Sequence, residues 1–280
     1  MNIKILSDST CDLSQAILEA HNITLVPLTV VMNDQQYKDG VTITPSVIFD
    51  HVANGGALCS TSANSVGEYE DWFRKYAADY DGVLHINIGS GFSSCFQNAS
   101  IAAQEFDNVA VVDSMNLSTG QGLVVLEACR LAKQCASLEE LRQKVQAFTS
   151  RVEASFLVDK LTYLVKGGRC SSAAALGANL LNLKPCIEVK DGKMQVVKKY
   201  RGSYAKCLAT YVKERLDGRD DLVRDTLFVT CTPVTEDCYA AVMEAVGQCP
   251  PFATVYETSA GCTVSCHCGP GTLGVLFVRK

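Results

Sequence analysis

Ile86-Asn87-Ile88-Gly89-Ser90-Gly91-Phe92-Ser93-Ser94 is where an apolar run that starts at residue 82 passes directly into glycines and hydroxyls. A short apolar run bounded by such turn residues predicts a buried strand over 82–88. The segment after it, about 94–105, has helical character, so the stretch is one strand-loop-helix unit. The same transition is expected at four other places: Ile5-Leu6 into Ser7-Asp8-Ser9-Thr10, Leu58-Cys59 into Ser60-Thr61-Ser62, Val111-Val112 into Asp113-Ser114, and the stretch leading to His267-Cys268-Gly269-Pro270-Gly271. Alternating strands and helices of this kind predict an α/β fold built on a largely parallel sheet. In open sheets of that class ligands bind outside the carboxyl ends of the strands. Ser and Thr loops offer rotatable O–H donors there, suited to holding a small polar or anionic group.

Outward from this unit, 2–6 and 109–112 read as further strands, and Thr24–Met32 as one more, interrupted by Pro27. Asp12 is expected to cap a helix near 13–20, and Pro45 to open one near 46–54. Val66, Tyr69, Phe73, Tyr76 and Tyr80 recur at helical spacing over 65–80. Gly120–Lys133 is apolar enough to be a sandwiched helix, and Ser137-x-x-Glu140 is a capping box opening the next. The second half predicts short helices at Leu161–Val165 and Ala173–Leu181, then Cys186–Val189 and Met194–Lys199 as a hairpin around Asp191-Gly192. Helices at 204–216 and 236–247 and strands at 226–231, 252–257 and 273–278 complete a mixed second sheet. Two closely packed lobes are expected, 1–155 and 156–280, with no linker composition between them.

The 280 residues exceed the usual single-domain size and suffice to bury a large core. A formal net charge of −5 argues against general binding to nucleic acid or to anionic membranes. No stretch approaches the ~18 apolar residues of a membrane span, so no stable membrane insertion is expected. The apolar run after Met1 is too short for a signal peptide, which makes the cytoplasm the expected compartment. Fourteen cysteines sit singly inside apolar patterns, as small hydrophobes do in a reducing compartment. The one dense patch, Cys262-x3-Cys266-His267-Cys268, lacks the second ligand pair usual for zinc, so neither metal nor cofactor is expected.

Each hydroxyl cluster has a purely structural reading beside the functional one. Ser94-x-x-Gln97 can be a capping box, and Asp8 and Asp113 at strand ends are expected to be structural. Lysines along the hairpin protect an exposed edge, and Gly167-Gly168 before Arg169 can be a helix stop. Three functional classes remain: a carrier for a polar head group, a Ser/His hydrolase or acyl-transfer enzyme using Ser93 and His267, and a phosphate binder. The loop Gly91-Phe92-Ser93-Ser94-Cys95 is not a nucleophile elbow, and neither phosphate-binding glycine fingerprint is present.

Taken together, Ser7-Asp8-Ser9-Thr10-Cys11-Asp12-Leu13, Thr61-Ser62, Ser90-Gly91-Phe92-Ser93, Lys166-Gly167-Gly168-Arg169, Lys184-Pro185, Arg201-Gly202 and His267-x-Gly-Pro-Gly resemble the DegV family of bacterial fatty-acid-binding proteins, over essentially the whole chain. The resemblance implies two α/β lobes with a long-chain fatty acid buried between or beneath them, in a tunnel that the apolar stretches 120–132 and 173–183 are candidates to line. It implies a separate, ATP-dependent fatty acid kinase subunit as partner, which phosphorylates the bound carboxylate for phospholipid synthesis, so that the chain itself is not an enzyme. Thr61, Ser93 and His267 match the family's carboxylate-binding positions, with Ser62 and Ser94 as neighbours. Lys166, Arg169 and Arg201 match basic positions that meet the kinase. The chain departs from the family pattern at Ser94, Cys95-Phe96, Cys268 and Asn64, which bears on chain-length preference and head-group geometry.

Overall fold

A computed structural model describes residues 1–175 and 183–280. In chain order the strands are β1 (Ile3–Asp8), β2 (Ile23–Val26), β3 (Thr29–Met32), β4 (Gln35–Lys38), β5 (Ser60–Ser62), β6 (Gly82–Asn87), β7 (Val109–Asp113), β8 (Val152–Val158), β9 (Leu183–Lys190), β10 (Lys193–Arg201), β11 (Leu222–Cys231), β12 (Thr254–Ser259) and β13 (Thr272–Arg279). They form a four-stranded sheet of order β2-β1-β6-β7, a six-stranded sheet of order β10-β9-β8-β13-β11-β12, and a small sheet of order β4-β3-β5. The four-stranded sheet is wholly parallel. The six-stranded one is antiparallel except for the pair β11-β12. The α/β class and the division into a parallel and a mixed sheet are as the sequence predicts.

The helix Ser118–Ala132 lies between the two large sheets, and 11 of its 15 residues are buried, so both of its faces must be satisfied internally. Toward the parallel sheet the Gln121 amide donates to Ser7 Oγ at 2.9 Å and to the Ile86 carbonyl at 3.2 Å. Toward the mixed sheet Thr119 Oγ1 meets Thr230 Oγ1 at 2.6 Å. One apolar core runs from Leu6 and Leu84 through Val124 to Phe156 and Leu276, which joins the lobes without a linker. The mixed sheet takes the chain from Val152, so its first strand straddles the expected boundary at 155.

Several local expectations are corrected. Pro27 does not merely interrupt one strand. It separates β2, in the parallel sheet, from β3, in the small one. Asp12 does not cap the first helix; Ser14 precedes Gln15–Ala20, and Asp12 adopts a left-handed conformation with its carboxylate turned inward. The segment before His267 is a helix, Cys262–Cys268, rather than a strand. Ser94 makes no capping-box bond, whereas Ser137 accepts from the Glu140 amide as expected. Asp191 and Gly192 both have positive φ, which closes the β9-β10 hairpin as the sequence indicates. The helix expected at 173–181 is observed at Ser171–Ala174 and from residue 176 lies outside the described residues.

Candidate functional site

The strand order changes direction between β1 and β6, and the loop after β6 rises at that switch point. Two buried carboxylates fix it. Asp8, at the end of β1, accepts from the Ile88 amide at 2.9 Å and from Asn87 Nδ2 at 3.0 Å, while Tyr69 donates to its other oxygen at 2.9 Å. Asp113, at the end of β7, accepts from the amides of Ser90 at 3.1 Å and Met115 at 2.9 Å. Both aspartates are structural, as expected: Asp8 Oδ2 and Asp113 Oδ1 take the loop's amides, and Asp8 Oδ1 is turned to buried Tyr69 and His85 rather than to an open site. At Gly91 any side chain would collide with the Gly192 carbonyl, 2.1 Å from the position of a Cβ, so the loop packs directly on the hairpin turn. Phe92 and Ser93 are thereby set into a cavity wall.

The opposite wall is the helix Cys262–Cys268, whose residues four apart share a face. Cys262 and Cys266 pack on the small sheet with Val30, Ile43, Ile48 and Cys59. Thr263 and His267 line the cavity. Val264 and Cys268 continue into a second, deeper chamber. Sequence propensity alone would not hold so short a helix. Its first turn is anchored by carboxylates from the other lobe: Asp39 accepts from the amides of Cys262 at 2.8 Å and Thr263 at 3.1 Å, and Asp12 from that of Gly261 at 2.9 Å. Burial pushes Asp12 up to about 8, against the pull of its bonds from Ser118 and Gly261 and with a further push from Asp39.

Thr61 sits on β5, opposite Val30, and its Oγ1 lies 2.7 Å from His267 Nε2. His267 Nδ1 is buried and has no partner among the described residues, and it faces Gly167, where a Cβ would stand only 2.6 Å away. Burial, and then the positive charge of Arg169, push the imidazole down to about 4, so it is neutral near pH 7. With Nε2 carrying the proton, His267 donates to Thr61 and leaves the Thr61 hydroxyl hydrogen free for a ligand. Ser93 Oγ, half-buried, accepts from the Cys95 amide at 3.3 Å and lies 3.0 Å from Cys95 Sγ, a soft partner that a carboxylate can displace.

The outer cavity holds about 540 Å³ of space between atoms, part of it open at the mouth. Thr61, Ser62, Ser93, Arg169 and His267 lie among its lining residues, with Leu28, Ile88, Phe92 and Met194 as apolar walls. The deeper chamber shares Leu117, Val264 and Cys268 with it and lies over Ala154, Phe156 and Leu276 of the mixed sheet. Ser94 is exposed, starts the helix Cys95–Ala103, and lies outside this lining. Lys166 and Arg201 are exposed and also outside it. Arg169, expected on a docking surface, is exposed yet forms part of the cavity mouth, with Nη1 donating to the Gly167 carbonyl at 2.6 Å. Thr263, Leu28 and Met194 went unrecognised in the sequence; the four-residue spacing to His267 would have flagged Thr263 had the segment been read as a helix.

No carboxylate completes a Ser-His-Asp relay among the described residues. His267 Nδ1 is unpartnered, His267 Nε2 is engaged by Thr61, and Asp8 and Asp113 are committed to the loop. Burial raises the cavity thiol Cys268 to about 12, and Cys95 to about 12 as well, so neither is a ready nucleophile. No group of three or more metal-ligating side chains occurs among the described residues.

A family model described as "Uncharacterised protein, DegV family" matches residues 2–280. A DegV domain-containing protein of Clostridium acetobutylicum is 31% identical over 283 residues, covering 99% of each chain. A DegV family protein from Thermus thermophilus, described as binding fatty acid, superposes with a TM-score of 0.89 at 30% identity over 100% of both chains. A stearic-acid-binding protein from Eubacterium ventriosum superposes with a TM-score of 0.82 at 27% identity over 99% of this chain and 98% of its own.

Proposed function

This chain belongs to the DegV family, and we propose that it binds one long-chain fatty acid and presents the carboxylate to an ATP-dependent kinase. The observation that carries the reading is a pair of adjacent cavities: a mouth lined by Thr61, Ser93, His267 and Arg169, and an apolar chamber that shares Leu117, Val264 and Cys268 with it. The Thr61 hydroxyl, oriented by neutral His267, donates to one carboxylate oxygen and Ser93 to the other. Arg169 supplies the compensating charge from the rim. Methylenes in the inner chamber each contribute about 0.8 kcal/mol, which suits a chain of many carbons.

Such a head group is held by one hydroxyl on each oxygen and lies at the cavity mouth, so each oxygen keeps a lone pair for an incoming phosphoryl group. Transfer from ATP would form the acyl phosphate and ADP, with the nucleotide site on the partner and none of the transfer machinery on this chain. Exposed Lys166 and Arg201, on an otherwise acidic protein, are suited to steer that partner toward the mouth. The acyl phosphate would feed phospholipid synthesis in the cytoplasm. No helix of the described residues is long and apolar enough to cross a membrane.

The test is ligand-induced thermal stabilisation by palmitate in the wild type and in Thr61→Val, Ser93→Ala and His267→Ala. A hydrogen bond to a charged group contributes ~1.5–3 kcal/mol, so each variant should bind about tenfold or more weakly. The stabilisation should shrink accordingly. Unchanged stabilisation in all three would overturn the head-group assignment. Ester hydrolysis by the wild type, lost in Ser93→Ala, would favour the hydrolase instead.

A further inference from the structure

The hydroxyls around the two chambers divide into two kinds. In the inner chamber each is turned to a protein partner: Ser118 to Asp12 at 2.6 Å, Ser155 to Tyr211 at 2.9 Å, Thr230 to Thr258 at 2.8 Å, Thr232 to the Thr272 carbonyl at 3.3 Å, and Thr272 to the Cys268 carbonyl at 2.9 Å. That chamber therefore offers an acyl chain an apolar surface of aliphatic side chains, the Phe156 ring and the thiols of Cys231 and Cys268. In the outer chamber Thr263 differs. It is 5% exposed, lines the cavity, and its Oγ1 is buried without a hydrogen-bond partner among the described residues. Leaving a buried hydroxyl unpaired is costly, so such a group marks a place where a ligand atom is expected.

Thr263 stands one helical turn before His267 on the cavity face, which separates the two residues by about 6 Å along the helix axis. The two oxygens of one carboxylate are already engaged by Thr61 and Ser93 in the reading above, which leaves Thr263 for another polar atom of the ligand. A polar atom beside Thr263 belongs to the acyl chain just inside the head group. We propose that Thr263 recognises an oxygen substituent near the carboxyl end, and that the preferred ligand class is a long-chain β-hydroxy fatty acid. A substituent on the α-carbon would fall within the head-group set itself, whereas the β-carbon reaches the next turn of the helix. Beyond it the wall is apolar, so a hydroxyl at the far end of the chain meets no free donor or acceptor.

This inference rests on the fatty-acid reading, and the experiment separates the two. Dissociation constants are measured for palmitate, β-hydroxypalmitate and ω-hydroxypalmitate with the wild type, Thr263→Val and Thr263→Ser. Valine keeps the shape and removes the hydroxyl, while serine keeps the hydroxyl and controls for packing. Thr263→Val should weaken β-hydroxypalmitate about tenfold or more and change palmitate less than about twofold. Thr263→Ser should retain the wild-type ranking, and ω-hydroxypalmitate should bind no better than palmitate. Equal losses for both acids in Thr263→Val, or no loss for either, would overturn the assignment of Thr263 and leave the fatty-acid reading standing. A wild type that binds none of the three acids would remove both.

Discussion

Gly167→Ala isolates the contact on which the head-group geometry depends. Gly167 ends the helix Thr162–Gly167, and its φ does not lie in the left-handed region, so alanine suits its backbone. On helix propensity alone the substitution should stabilise by up to about 1 kcal/mol. Yet the added Cβ would stand 2.6 Å from His267 Nδ1, about 0.8 Å inside ordinary van der Waals contact at 3.4 Å. The imidazole must move away, and its 2.7 Å contact with Thr61 cannot survive a shift of that size in good geometry. Losing that bond removes about 1 kcal/mol, and misdirecting the Thr61 hydroxyl forfeits a charge-assisted bond of about 1.5–3 kcal/mol to the ligand. Palmitate affinity measured by titration should fall about tenfold or more, while the midpoint of urea unfolding without ligand changes little, because gain and loss offset. The decisive arm is a double-mutant cycle. In a His267→Ala background, Gly167→Ala should have no further effect on affinity. An equal loss in both backgrounds would refute the argument, since the glycine would then act through something other than the histidine.

Further outcomes follow from the same geometry. Arg169→Glu should weaken both fatty-acid binding and acyl-phosphate formation with the proposed kinase partner, because Arg169 belongs to the cavity mouth. Arg201→Glu, outside the lining, should slow only acyl-phosphate formation, with a salt dependence that a merely exposed residue would not show. Histidine NMR of the ligand-free protein should show His267 neutral down to about pH 5, since burial and Arg169 push it down to about 4; titration near 6.5 would contradict this. Asp12, ordinarily near 3.8, is pushed up to about 8, so between those values the folded state holds a proton the unfolded state has lost. Its contribution to stability is present at low pH and is lost as pH rises toward 8, by at most about 1.4 kcal/mol per pH unit. His267 has the opposite sign, gaining stability as pH rises from about 4 to 6.5, so the window above 6.5 isolates Asp12. Asp12→Asn should flatten the stability profile there, as read by urea unfolding; an unchanged slope would show that another group carries it.

What could be read from the sequence were the elements whose local pattern and final environment agree. The strands β1, β6 and β7 are apolar because they are buried in a parallel sheet, and Ser118–Ala132 is apolar because both its faces are covered. Asp191-Gly192 declares its hairpin because few other residues accept two successive positive φ angles. The segments that stayed hidden owe their structure to distant partners. Cys262-Thr263-Val264-Ser265-Cys266-His267-Cys268 has β-branched residues and cysteines in place of good helix formers, and it is helical because Asp12 and Asp39, more than 220 positions away, hold its first amides. Ser60–Ser62 is a strand of three polar residues that exists only because β3 offers an edge to pair with. Thr61 and His267 were legible as candidate site residues through resemblance, yet their contact, 206 positions apart in sequence, was not. Arg169 read as a surface charge because nothing local shows that Phe92 and His267 are its neighbours.

The most direct test of the central claim is native mass spectrometry of freshly purified wild-type protein, with organic extraction and identification of whatever is released. The proposed function predicts one long-chain fatty acid per chain in independent preparations, displaced by added palmitate and depleted in the Ser93→Ala variant. Protein that is consistently empty and takes up no added fatty acid would contradict it.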